Sequence, residues 1–247
     1  MPGNTAGSGR GTGYTGPVSA QTDIVAPRAA ASVVLLRPGP GGPEILYLRR
    51  NPSLAFHGDY WVFPGGRIDA ADRAAGGGGG GDEAAAARRA AVREAHEEAG
   101  LRVPAASLAF AVHWTTPESS PIRFATWFFV APATAGTVET DGTEILDHRW
   151  LRPADALERQ RAREIKLAAP TFALTSRLAG FTDVDGAMAA VAGWPDERLL
   201  GRLVEVDDGQ VAIYHQDTAY DEGPLDRDGP RHRLWMVRSG WRYERAF

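Results

Sequence analysis

The stretch Arg93-Glu94-Ala95-His96-Glu97-Glu98-Ala99-Gly100-Leu101 decides how the rest of the chain is read. Glu94 and Glu98 stand four apart and Glu94 and Glu97 three apart, so on a helix the three carboxylates share one face. Like charges at these spacings repel. A solvated helix usually intersperses lysine or arginine, whereas a divalent cation turns such a cluster into an asset. Mg²⁺ suits the set because it takes oxygen ligands and binds between carboxylates and phosphates. There it neutralises phosphate charge, activates a water and stabilises a transferred phosphoryl group. Arg93 stands one turn before Glu97 and can orient it. On these residues alone, a solvated face without metal stays open.

Outward from this stretch, Asp82 is an N-cap and Gly100 a C′ residue for a helix over 82–99. Its alanines at 84, 87, 91 and 95 recur at helical spacing and allow close packing on a sheet. The six glycines Gly76 to Gly81 read as a surface insertion, since such a run cannot offset its ordering entropy. Before it, Tyr60-Trp61-Val62-Phe63 reads as a strand entering the turn Pro64-Gly65-Gly66. Two glycines let backbone approach a metal or phosphate, with carbonyls as oxygen ligands.

Phe63-Pro64-Gly65-Gly66 followed by Arg93-Glu94-x-x-Glu97-Glu98-x-Gly100-Leu101 resembles the Nudix hydrolase box, G-x5-E-x7-R-E-U-x-E-E-x-G-U, with U a bulky aliphatic residue. The second half matches, with Ala95 small at its U. The first half departs: Asp72 stands at the glutamate position, and 20 residues rather than 7 separate it from Arg93. A looped-out insertion explains the difference; Asp82 or Glu83 is the alternative occupant of that role. The resemblance implies an α/β fold, an α/β/α sandwich with a mixed sheet. It implies metal-dependent cleavage of a pyrophosphate bond in a nucleoside diphosphate derivative, with Mg²⁺ or Mn²⁺ as cofactor. Glu94, Glu97, Glu98 and the Gly65 carbonyl are the implied metal ligands. Arg93, Glu97 and Glu98 are the implied catalytic residues, Glu97 being the first choice of base and Glu118 or Glu144 the alternatives as base or extra ligand.

The remaining sequence reads as mixed α/β layers. Strands are expected at 30–36, 44–48, 108–114, 124–131 and 145–151, and helices from Pro153, from Pro170 to Leu178, and within 183–193. The last part is strand-like again, at 202–206 and 210–214, with a hairpin around Trp235 and Trp241. The expected organisation is a disordered tail over 1–24, a domain over 25–195 with an insertion at about 73–82, and a small β-rich appendage over 196–247. Trp235 and Trp241 point to packing of that appendage on the domain or on a second subunit, the latter giving a homodimer.

Composition sets bounds. With no cysteine, disulfides, thiolate metal sites and cysteine nucleophiles are excluded. A net charge of -4 argues against nucleic acid as a partner and against a polybasic membrane anchor. The cluster Arg159-Gln160-Arg161-Ala162-Arg163 reads as a solvated helix face. No apolar run approaches the ~20 residues that span a bilayer, and the opening residues lack a signal-peptide core, so no membrane partner and a cytoplasmic location are expected.

For substrate, Arg49, Arg50 and Arg123 are candidate phosphate contacts, with surface ion pairs as the alternative for each. His113 and Trp114 are candidate pocket residues, since a ring can stack on adenine. His57 before Phe63-Pro64-Gly65-Gly66 is similar to part of the coenzyme A pyrophosphatase signature. The segment from His113 to Glu118, then Arg123 to Phe129, and Pro170-Thr171 are similar to the acyl-coenzyme A diphosphatases. These likenesses imply coenzyme A or an acyl-coenzyme A. The alternatives are ADP-ribose, NADH or a nucleotide sugar, and, from another class, a non-catalytic nucleotide-binding module. Such modules lose carboxylates of the box, and this chain keeps all three.

Overall fold

The computed structural model describes residues 24–74, 82–221 and 223–247. Residues 1–23 of the expected tail and the glycines of the expected insertion lie outside them. Among the described residues the main sheet contains β1 (Arg28–Gly39), β2 (Gly42–Arg50), β3 (Trp61–Val62), β4 (Gly65–Arg67), β5 (Ala109–Thr115), β6 (Phe124–Pro132), β7 (Ile145–Leu151) and β8 (Arg198–Leu200). Their order is β3-β2-β1-β6-β5-β8, with β4 also on β1 and β7 also on β2. The pairs β1–β6 and β5–β8 are parallel and the others antiparallel, so the sheet is mixed.

Strand β1 shows why the apolar run Ala30 to Leu36 is continuous. Val33 and Leu35 face one side of the sheet and Val34 and Leu36 the other, and all four are fully buried. A sheet covered on both faces needs apolar residues at every position. One cover is α2 (Glu83–Ala99), following the short α1 (Ala70–Ala74). Its Ala86, Ala87, Ala90, Ala91, Ala95 and Ala99 are buried against Val33, Leu35 and Leu48. Asp82 caps it by accepting from the Ala84 N–H at 3.0 Å, and Gly100 ends it at φ 69°. The other cover holds α3 (Pro153–Arg161), α4 (Ala169–Leu178) and α5 (Val184–Ala192), with Phe172, Leu174, Val184 and Val191 in its core. This is the expected α/β/α sandwich.

A second antiparallel sheet follows, ordered β12-β11-β10-β9, from β9 (Arg202–Val206), β10 (Gly209–Ile213), β11 (Arg231–Val237) and β12 (Arg242–Ala246). Arg233 and Asp217 are buried together in it: Asp217 accepts from Arg233 Nε at 2.7 Å and Nη2 at 2.5 Å, and from the Ala219 and His232 N–H groups at 2.9 Å. Burial pulls the Asp217 carboxyl upward, and the Arg233 bonds outweigh it and hold it below the usual range. The sheet packs on the domain. Glu197, 3% exposed, accepts from Arg177 of α4 at 3.1 Å and from Arg245 of β12 at 2.9 Å, and Trp241 lies edge-on to Phe172 at 5.5 Å.

Strand β4, helix α1 and strand β8 were not expected from the sequence. Glycine is a poor strand former, so Gly65-Gly66 reads as a turn; its pairing with Ser32 and Ala31 comes from β1. Helix α1 is only 5 residues long, too short for periodicity to show. No helix among the described residues is long and apolar enough to cross a membrane.

Two stability predictions follow from this packing. Asp217→Ala leaves the buried Arg233 guanidinium with the Leu225 carbonyl at 2.7 Å and, as its nearest carboxylate, a Glu244 oxygen at 4.0 Å, and should cost about 3–5 kcal/mol in urea unfolding. In the wild type that contribution is complete above the ordinary aspartate value of about 3.9. It is lost as pH falls through the depressed folded value. Gly100→Ala places a Cβ at φ 69° and should cost about 1–2 kcal/mol by the same measurement.

Candidate active site

Helix α2 presents its acidic face to β4, and both glycines sit where a side chain would clash, Gly65 against β1 and Gly66 against Glu94 of α2. A Cβ on Gly65 would lie 2.6 Å from the Ala31 carbonyl oxygen, and one on Gly66 2.5 Å from the Glu94 carboxyl carbon. Glu98 is 5% exposed and accepts from the Gly65 N–H at 2.8 Å. Burial pushes its carboxyl up to about 8; the Gly65 bond opposes this, and the charges of Glu94 and Glu144 add to it. Glu94 is also raised, by burial first and by Glu97 and Glu144, against the pull of Arg93.

Arg93 connects this face to its surroundings. One terminal nitrogen donates to Glu94 at 2.7 Å and Glu97 at 2.8 Å; the other donates to the Arg67 carbonyl and to Asp72, each at 2.9 Å. Asp72, 6% exposed, also accepts from the Asp69 N–H at 2.9 Å. Burial raises its carboxyl, but the bonds from Arg93 and Asp69 outweigh it and hold it low. Asp72 thus meets Arg93 across 21 positions of sequence. Asp82 is spent on the helix cap and Glu83 is exposed.

Opposite the helix, Glu144 accepts from Arg50 at 2.7 Å, and both line a cavity of about 610 Å³ together with Glu94, Glu98, Gly65 and Gly66. Arg50 Nε is buried without a protein partner among the described residues. His57 lies beside them at φ 53°, its ring 4.0 Å from Phe56 and 5.0 Å from Tyr60. Burial and the Arg50 charge lower its pKa to about 4, so its imidazole is neutral at neutral pH. Trp114 and the first turn of α4, including Pro170 and Thr171, also line the cavity.

Other candidates are elsewhere. Glu97 is 54% exposed and held by Arg93 at the outer edge of the acidic face. Arg49 falls on the other face of β2 from Arg50, where it pairs with Asp59 at 2.7 Å. Arg123 is 5% exposed and donates to the Thr116 carbonyl at 3.1 Å and the Val25 carbonyl at 2.7 Å, so it holds the β5–β6 connection instead of facing the cavity. His113 alternates with Trp114 along β5 and lies edge-on to Trp127 at 5.0 Å, away from the cavity. Glu118 is exposed in a turn and does not line it. Conversely, nothing in the sequence marks Phe128, Leu203, Tyr214 or Met236 as cavity residues; only Trp235 and Trp241 point to packing of the tail, on the domain or on a second subunit.

Among the described residues, no three acidic or histidine side chains converge as a ready metal cluster. Arg93 draws Glu94 and Glu97 to one side while the Gly65 N–H draws Glu98 to the other. The donor chemistry nonetheless fits a hard cation. Glu94 and Glu98 are carboxyls raised by burial, and a divalent ion there would supply the missing counter-charge.

The chain is similar in fold to the NUDIX hydrolase from Alicyclobacillus acidocaldarius, with 23% identity, a TM-score of 0.62, and coverage of 70% of this chain and 100% of that one. More distant is the NUDIX domain of Shewanella oneidensis NrtR complexed with ADP ribose, at 17% identity, TM-score 0.47, and coverage of 64% and 89%. A C. elegans Ap4A hydrolase binary complex stands at 24% identity, TM-score 0.41, and coverage of 67% and 99%. The NUDIX domain family model matches residues 26–171, more than half of the chain and a span that holds Asp72, Arg93, Glu94, Glu97, Glu98 and Glu144. The chain belongs to the Nudix family and is a hydrolase acting on pyrophosphate bonds.

Proposed function

We propose that the chain cleaves the pyrophosphate of coenzyme A or an acyl-coenzyme A, with Mg²⁺ or Mn²⁺ held by Glu94, Glu97, Glu98 and the Gly65 carbonyl. The observation that carries the chemistry is the meeting of Glu94, Glu98 and Glu144 with Arg50 at one end of a single cavity. The substrate choice rests on the sequence likeness around His57, His113 to Phe129 and Pro170-Thr171. Of these, His57, Trp114, Pro170 and Thr171 line that cavity.

A cation held there would supply charge neutralisation at the phosphates and would lower the pKa of a water. The protein's own residues do the rest. Arg93 keeps Glu94 and Glu97 from repelling each other and fixes their positions through Asp72. Arg50 has a fork suited to phosphate oxygens and can exchange Glu144 for them. Glu144, released by that exchange, lines the cavity, which Glu97 does not, and is the better placed of the two to take a proton from water. Neutral His57 can bond to an uncharged ligand group without adding charge.

The test is Mg²⁺- and Mn²⁺-dependent product formation across coenzyme A, acyl-coenzyme A, NADH, ADP-ribose, UDP-sugars and diadenosine polyphosphates. Release of 3′,5′-ADP and a phosphopantetheine is expected; turnover of ADP-ribose or a sugar nucleotide alone would keep the chemistry and overturn the substrate. Glu98→Gln should abolish metal-dependent turnover. Glu144→Gln should lower kcat by roughly 10²–10⁴-fold, the usual weight of a general base, and an unchanged kcat would return that role to Glu97. Asp72→Asn should lower activity or metal affinity by roughly 10–100-fold by releasing Arg93.

A further inference from the structure

Away from the carboxylates, the cavity ends on a wall without charged side chains. Trp114 of β5 and Phe128 of β6 form part of it; Leu203 of β9, Ala212 of β10, Met236 of β11 and Tyr214, just after β10, form the rest. The last four lie beyond residue 171, where the family match ends. The domain shared with the family thus supplies the acidic end, and the second sheet supplies most of this wall. Tyr214 and Ala212 are 1% and 3% exposed, Phe128 and Trp114 6% and 7%. The ties from Glu197 to Arg177 and Arg245 hold the second sheet against the domain, so the wall is formed before a ligand arrives.

A cavity with charge at one end and hydrocarbon at the other matches a ligand built the same way. We propose that this wall binds an aliphatic limb carried on the substrate's second phosphate, so that the protein selects nucleoside diphosphates esterified to an apolar chain. The proposal rests on the pyrophosphatase reading above and names the part of the substrate that the second sheet recognises. A nucleobase is the competing occupant. It stacks on a ring face and is fixed by directed hydrogen bonds. Here the Trp114 and Tyr214 rings stand at 70° to each other, 5.0 Å apart, and form no parallel platform. Leu203, Ala212 and Met236 offer only aliphatic and thioether surface, and such surface favours a chain.

The experiment uses ADP esterified at its β-phosphate with methyl, butyl, hexyl, octyl and decyl groups, with Mg²⁺, on the full chain. Hydrolysis and calorimetric affinity are read together. Both kcat/KM and affinity should rise by up to roughly fourfold per methylene, the weight of one buried CH₂, and level off when the wall is filled. Met236→Ser and Leu203→Ser should flatten the rise, and Met236→Leu should restore it; thermal melting identifies a variant that fails to fold. Turnover of every ester with no dependence on chain length overturns the wall and leaves the pyrophosphatase reading standing. So does sensitivity to the identity of the base that is lost in the same serine variants. If no ester is turned over, the substrate panel above decides the pyrophosphatase reading and the binding curve decides the wall: rising affinity upholds the wall, and flat or absent binding overturns it.

Discussion

The guanidinium of Arg93 bonds at once to Asp72, Glu94, Glu97 and the Arg67 carbonyl, and these contacts fix α1, α2 and β4 relative to one another. Three glutamates within five residues of one helix repel, and α2 would be a poor place to put them without a cation among them. Arg93 offsets part of that repulsion at the outer edge. It does not reach Glu98, which faces inward on the Gly65 N–H with its carboxyl raised. The inner half of the acidic face is therefore left short of positive charge at the mouth of the cavity, which is where a phosphate-bound cation is useful.

How far the sequence revealed this depends on whether the interaction is local. The α2 caps, its alanine face and the carboxylate spacing are local, and all could be read directly. Asp72 could be identified only through the motif, because its bond to Arg93 spans 21 positions and crosses the inserted segment. Adjacent pairs were undecidable for a different reason. Arg49 and Arg50, or His113 and Trp114, lie on opposite faces of a strand, and which face meets the cavity is set by register. In β2 the register shifts at Arg49/Arg50 itself. Arg123 could be read as a phosphate contact or a surface ion pair; its partners are the carbonyls of Val25 and Thr116, which no composition argument can see.

The second sheet shows a different balance of forces. Its own apolar cluster is small, centred on Val211, Ile213 and Ala219, and much of its definition comes from polar groups. Asp217 and Arg233 gather the 214–230 loop onto β11. His232 is bonded at 2.7 Å to both Gln216 and the Tyr243 hydroxyl, and burial lowers its pKa to about 3. Read as neutral, with Nδ1–H donating to the Gln216 oxygen, it accepts from Tyr243. A buried ion pair such as Asp217–Arg233 often adds less stability than apolar residues of equal volume. Losing one partner leaves an uncompensated buried charge, however, so the pair holds its two segments in one arrangement. A sheet that forms part of a binding cavity needs that single arrangement.

The chain passes from the main sheet into the second through Gly201 alone, between β8 and β9. A Cβ there would lie 3.1 Å from the Tyr214 ring. The backbone thus crosses between the sheets at one residue, and the acidic residues and most of the apolar wall are segregated along the chain. Substitutions in β9 to β11 can accumulate without altering the spacing of the glutamates, and changes within the box do not redraw the apolar wall. A lineage built this way can exchange one substrate for another by drift in its last fifty residues while inheriting its reaction intact.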